Sequence, residues 1–168
     1  MGRRRDESPR PLDRGDPREK FPHPLNAPVL AYLAAGAAIS DAPGAHNVDE
    51  YVLHTHPDFE DVMTRLAREL DARARGAYGY RVLTTRHGLL FALAAGTSTL
   101  GVRLPERAWP MALEFGGMPW PEAGPDWIRF SAWDADVPAR QHAGDLRYFT
   151  EVALDHAVTL GRTPGLAR

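Results

Sequence analysis

The sequence predicts an α+β fold: a mostly antiparallel sheet of about four strands packed against two long amphipathic helices as a two-layer sandwich. Three observations carry this expectation. Residues 57–75 place apolar side chains at three- and four-residue spacing, and residues 78–133 hold four short strand-like runs. A second periodic segment follows residue 145. Helices that flank antiparallel strands, instead of alternating with them, pack against the sheet as a separate layer.

Residues 1–27 read as a disordered, basic and proline-rich tail. Leu12, Phe21 and Leu25 stand among Pro, Arg, Asp and Gly, too little apolar surface to offset the entropy of ordering. Residues 28–160 form the expected single domain, with 161–168 a C-terminal tail. The run at 28–39, PVLAYLAAGAAI, suits a buried helix or an apolar strand; alanine favours the helix and Gly36 weakens it. A loop at 40–50 ends it.

The clearest helix is 57–75. Pro57 suits a first helical position, and Phe59, Val62, Met63, Leu66, Ala67, Leu70 and Ala74 share one face. Asp58, Glu60 and Asp61 stand at its start, Arg73 and Arg75 at its end, as the helix dipole prefers. Gly76 supplies a stop. Tyr78–His87, Leu89–Ala95 and Thr99–Leu104 follow as strands, the last two joined at Gly96-Thr97-Ser98 in a hairpin. A short helix runs from about Glu106 or Pro110 to Phe115, followed by a proline-rich loop at 116–126. Trp127–Trp133 is the fourth strand and Asp134–Gly144 a further loop. Asp145 then caps a last helix that ends near Leu160, with Leu146, Phe149, Ala153, Ala157 and Leu160 on one face.

A chain of 168 residues with 43% hydrophobic and 25% charged residues is an ordinary single globular domain. The absence of cysteine excludes disulfides, Cys-based zinc sites and thiol catalysis. No run approaches the roughly 20 apolar residues that cross a bilayer, and no basic segment leads directly into an apolar one, so the expected location is cytoplasmic. The net charge is −2, with seven basic and five acidic groups in residues 1–20. The body is therefore mildly acidic, which disfavours nonspecific duplex binding.

The stretch RHGLLFALAAGTSTLGVRLP at 86–105, with Trp127-Ile128 and a final amphipathic helix, resembles the small TfoX N-terminal and YjbR-like domains. The likeness covers about residues 57–160. It departs at 81–87, RVLTTRH, where TfoX-like chains carry phenylalanine-glycine-glycine. The resemblance implies a non-enzymatic binding or regulatory module, nucleic-acid related in some members.

Two constellations compete for function. His54-Thr55-His56-Pro57 resembles the histidine pair of JAMM-type zinc metalloproteases, and two neutral imidazoles at i, i+2 suit zinc. The serine and aspartate of that family fall on Thr64 and Ala67, so a third ligand is missing, and the pair also suits a loop-to-helix junction. His46, His87, His142 and His156 form no local motif, and no nucleophile elbow, Walker loop or dinucleotide fingerprint is present. Asp134 and Asp136 suit a solvated turn more than a cation site.

The second constellation is aromatic. All four tryptophans lie within residues 109–133. Period-two alternation puts Ile128 and Phe130 on one face of the fourth strand and Trp127, Arg129 and Trp133 on the other. Arg81, Arg103 and Trp120 are candidates to join that face, which would stack a planar ligand, a base or an aromatic side chain. The alternative is that helices cover this face and the tryptophans are core. The expectation is thus an intracellular, non-enzymatic binding or accessory domain that meets a protein or small planar ligand through Trp127, Arg129, Trp133, Arg81, Arg103, Trp120 and the 116–126 loop. No cofactor and no membrane are expected. The alternatives are a metal-dependent hydrolase using His54 and His56, and a nucleic-acid-binding module using the tail.

Overall fold

A computed structural model describes residues 16–40, 47–48, 51–52, 54–96, 98–131 and 139–162. Its centre is a six-stranded antiparallel sheet, two strands more than expected. The strands are β3 (Arg73–Ala77), β4 (Tyr80–Thr84), β5 (Leu90–Ala95), β6 (Thr99–Arg103), β7 (Met118–Pro119) and β8 (Trp127–Ser131), in the order β3-β4-β5-β6-β8-β7. The pairs β1 (Asn47–Val48) and β2 (Tyr51–Val52) make a separate two-stranded ribbon.

The helices are α1 (Pro17–Lys20), α2 (Ala27–Ser40), α3 (Pro57–Glu69), α4 (Trp109–Glu114) and α5 (Ala139–Arg162). Helix α3 is shorter than its periodicity suggests. Asp71 takes a left-handed conformation (φ 56°) and turns the chain, so that Arg73–Ala77 pairs with β4 as a strand. The two-residue connection Tyr78-Gly79 has φ of 50° and 83°. Positive φ at both positions is the turn whose twist suits a hairpin, and Gly79 supplies half of it at no steric cost. Helix α5 begins at Ala139, ahead of Asp145, and spans Gly144, whose cost of about 1 kcal/mol a long packed helix can absorb.

Helices lie on both faces, which corrects the two-layer expectation. On one face Phe59, Met63 and Leu66 of α3 and Phe149, Ala153 and Ala157 of α5 pack with Leu83, Ala92, Leu100, Val102, Ile128 and Phe130. On the other, Val29, Leu30 and Leu33 of α2 pack with Val82, Leu93, Trp120 and Trp127. An irregularity in the β4–β5 pairing lets Phe91 join Ala92 on the α3/α5 side, the usual effect of an extra residue in one strand.

The ambiguous 28–39 run is helical. Gly36 lies where an added Cβ would come within 2.6 Å of the Tyr80 hydroxyl. A residue that weakens the helix locally thus admits its close approach to β4. The chain is also ordered earlier than the tail reading suggests: Phe21 and Asn26 are both buried. Arg3, Arg4 and Arg5, among the basic residues of the expected tail, lie outside the described residues.

Candidate functional site

Cross-strand register sorts the arginines and tryptophans. Arg103 lies opposite Trp127, and Gly101 opposite Arg129, so these positions share the α2 side of the sheet. Arg81 pairs with Ala94, whose side chain faces α3 and α5. Arg81 therefore points to the other face, where its guanidinium lies 3.4 Å from Glu60 of α3. A single surface of Arg81, Arg103 and Trp127 does not form. Trp133, Asp134 and Asp136 lie outside the described residues, as does the His142 side chain.

Trp127 and Arg103 are inside the protein, with relative exposures of 1% and 3%. Trp120 is buried as well. Its ring meets Tyr32 of α2 edge-on at 5.5 Å and occupies the space a side chain at position 101 would need. Only glycine on β6 leaves room for it. The expectation of an exposed aromatic platform is corrected: α2 and the 120–126 turn cover these rings. Of that candidate set, Arg129 remains exposed.

The buried arginine organises a polar cluster. Its Nη1 donates to both carboxylate oxygens of Asp126 at 3.0 and 3.1 Å. Nε donates to the Leu90 carbonyl and Nη2 to the Leu25 carbonyl, each at 3.0 Å. The guanidinium also stands 5.2 Å from the centroid of the Trp127 ring, in cation–π range. His156 Nε2 approaches Asp126 from α5 at 3.6 Å. Burial by itself would raise the Asp126 carboxyl, but the neighbouring His156 ring and the Arg103 charge and hydrogen bonds outweigh it and hold the group below its ordinary value. Burial pushes the Arg103 guanidinium down, and Asp126 opposes that shift.

Beside it, Asn26 donates to the Gly88 carbonyl at 2.9 Å and accepts from the Leu90 N–H at 2.9 Å. Arg103 and Asn26 together tie the N-terminal segment to the start of β5. Every strong bond of this group is made to another part of the chain, which is a clamp's chemistry.

The histidine pair is equally occupied. His56 is the N-cap of α3, its Nδ1 accepting the Asp58 N–H at 3.2 Å. The His54 ring stacks on Tyr80 with centroids 4.8 Å apart. Between them Thr55 is buried; its hydroxyl donates to the Ala94 carbonyl and accepts the Arg81 N–H. The motif thus closes the end of the β4–β5 pair and starts a helix. Among the described residues no three His, Asp or Glu side chains converge as a metal site.

The feature that sequence reasoning missed is apolar and exposed. Met111, Leu113, Phe115, Met118 and Tyr148 are the large hydrophobic side chains left exposed among the described residues. They fall on α4, on β7 and beside Phe149 of α5. Phe115 caps the C-terminus of α4, its N–H bonding the Met111 carbonyl one turn back. Phe115 and Tyr148 both make edge-on contacts with Phe149, at 6.0 and 5.2 Å. Met118 is the cross-strand neighbour of Arg129. The signal was present in Met111-Ala-Leu-Glu-Phe115, where apolar residues surround most of a short helix.

No family model, curated protein or solved structure matches this chain. Among the described residues no helix is long and apolar enough to cross a membrane.

Proposed function

We propose that the protein is a small non-enzymatic binding domain that docks an amphipathic, acid-bearing segment of a protein partner on the edge formed by α4, β7 and Arg129. One observation carries this reading: the exposed large hydrophobics of the described residues flank the β7 end of the strand order, Phe115 and Tyr148 against Phe149 on the α5 side and Met118 with Arg129 on the α2 side. Single exposed apolar residues need no explanation, whereas a gathered set marks an interaction surface. Phe115 and Met118 have relative exposures of 51% and 55%, and Arg129 beside Met118 adds a positive charge.

The chemistry of the edge selects the occupant. Pro119 on the outer strand has no N–H, so this edge is poor for pairing with a further strand. Side chains must supply the contact, as when apolar anchors of an amphipathic segment meet a hydrophobic surface. Arg129 then favours a segment with a carboxylate beside its apolar anchors. The regulatory role implied by the TfoX-like resemblance is compatible with such docking.

A photo-crosslinking residue placed at Met118 tests the proposal, with the same residue at the exposed Glu151 as control. The expected product joins position 118 to an apolar, acid-bearing segment of another protein, and Phe115→Ser and Arg129→Glu both abolish it. Equal labelling from both positions overturns the proposal. So does a product that joins two copies of this chain.

A further inference from the structure

Among the described residues β3 pairs with β4 on one side and with no strand on the other. We propose that this free edge takes up an extended acidic segment of a partner protein as a further antiparallel strand, its carboxylates at every second residue beside Arg73 and Arg75.

The hairpin fixes which backbone groups of β3 point outward. Its two-residue connection makes Ala77 and Tyr80 the hydrogen-bonded pair that closes the turn. Bonded and non-bonded pairs alternate along an antiparallel ladder, so Arg75 with Val82 and Arg73 with Thr84 are the next bonded pairs. The N–H and C=O groups of Ala74 and Gly76 are therefore directed away from β4. Among the described residues no other part of the chain bonds them.

A row of such groups is a template for another strand. Ala74 and Gly76 have the smallest side chains, so they do not themselves obstruct an approaching backbone. No proline interrupts β3, and its pairing with β4 runs without a register shift. The far edge differs, since Pro119 stands in β7.

Side-chain chemistry selects the occupant. Arg73 and Arg75 alternate with the outward-bonding positions and project on the α2 side of the sheet, the side of Ala77 and Val82. Arg73 is exposed and Arg75 partly buried, and among the described residues neither forms an ion pair. A second copy of β3 paired antiparallel about Ala74 or Arg75 would set arginine against arginine, and like charges directly opposite destabilise a ladder. The same two charges favour a strand with carboxylates at matching spacing. Those carboxylates face the arginines in the closer, non-hydrogen-bonded pairs, while the residues between them bond Ala74 and Gly76. Strand addition of this kind draws affinity from the main chain and specificity from alternate side chains. The site lies at the opposite end of the strand order from the α4–β7 edge and does not depend on the docking proposed there.

The probe is the peptide acetyl-Val-Glu-Val-Glu-Val-amide, and hydrogen exchange of the β3 amides reads its binding. In the free protein the Ala74 and Gly76 amides exchange faster than those of Arg73, Arg75 and Ala77. Saturating peptide slows Ala74 and Gly76 about tenfold. N-methylation of the peptide's valines abolishes the effect, because their N–H groups face β3, whereas N-methylation of its glutamates leaves it. Replacing the glutamates by lysines, or Arg73→Glu with Arg75→Glu in the protein, weakens binding about tenfold. Ala74→Pro removes an outward N–H while sparing the β4 ladder and also abolishes binding; the double arginine variant keeps the test decisive if Ala74→Pro fails to fold. Phe115→Ser leaves binding unchanged. Absence of binding overturns the proposal, as does equal binding of the N-methylvaline or lysine peptide. Slowing of Ala74 and Gly76 exchange with protein concentration alone assigns the edge to a second copy and overturns it too.

Discussion

Arg103 joins several separate parts of the fold. It bonds Asp126, the Leu25 and Leu90 carbonyls and the Trp127 ring at once. Arg103→Met leaves the part-buried Asp126 carboxylate without its cation, and breaking one partner of a buried pair costs roughly 3–5 kcal/mol. Urea denaturation at pH 7 should show a loss of that order. Acid should weaken the same cluster. Asp126 is held below its ordinary value in the folded state, so its contribution is complete above the unfolded pKa of about 3.9. It is lost as pH falls through the lower, folded value. His23 acts at higher pH. Burial, and then the Arg103 charge, lower its imidazole from 6.5. The unfolded chain therefore binds that proton more readily, and stability declines as pH drops below about 6.5. Denaturation midpoints from pH 8 to 3 should fall in two stages. His23→Gln should remove the first and Asp126→Asn the second. Sequence spacing offered Arg103 and Arg81 alike as candidates to join the Trp127 face; the register places Arg103 there, and spacing could not reveal that the guanidinium would be enclosed, because Asp126 and Leu25 reach it only in the folded chain.

At the scale of elements, the sheet and helices depend on a few close approaches. Trp120 occupies the space above Gly101, so Gly101→Ala must displace the indole or part β6 from the 120–126 turn. Overpacking of this kind typically costs about 1–3 kcal/mol, and tryptophan emission should shift to the red as Trp120 moves toward water. Asn26 holds the segment before α2 against β5. Asn26→Ala leaves the buried Leu90 N–H unbonded, a cost of about 1–3 kcal/mol, with faster amide exchange expected at Leu90. The strands β4, β5, β6 and β8 and the helix α3 were legible because alternation and three-to-four spacing persist through them. Residues 73–77 were not. Their alanines and arginines satisfy helical and strand spacing equally, and the left-handed Asp71 decides between them. The helical state of 28–39 was likewise open, since an all-apolar run carries no period.

Across the whole molecule, the two edges of the sheet differ in chemistry: apolar at α4–β7 and cationic at β3. The apolar edge carries little of the core's stability. Phe115→Ser with Met118→Ser should change the unfolding free energy by only about 0.5 kcal/mol per site, as for ordinary surface substitutions, while abolishing the docking proposed for that edge. By itself the sequence determined the α+β class, the antiparallel hairpins, the α3 face and the exclusion of thiol chemistry, because these follow from local periodicity, turn residues and the absence of cysteine. Only the tertiary structure decided that α2 covers the tryptophan face and that His54 and His56 close a strand pair. Those outcomes depend on surfaces contributed by segments tens of residues apart, and burial is a property of what packs against a side chain, which local spacing does not encode.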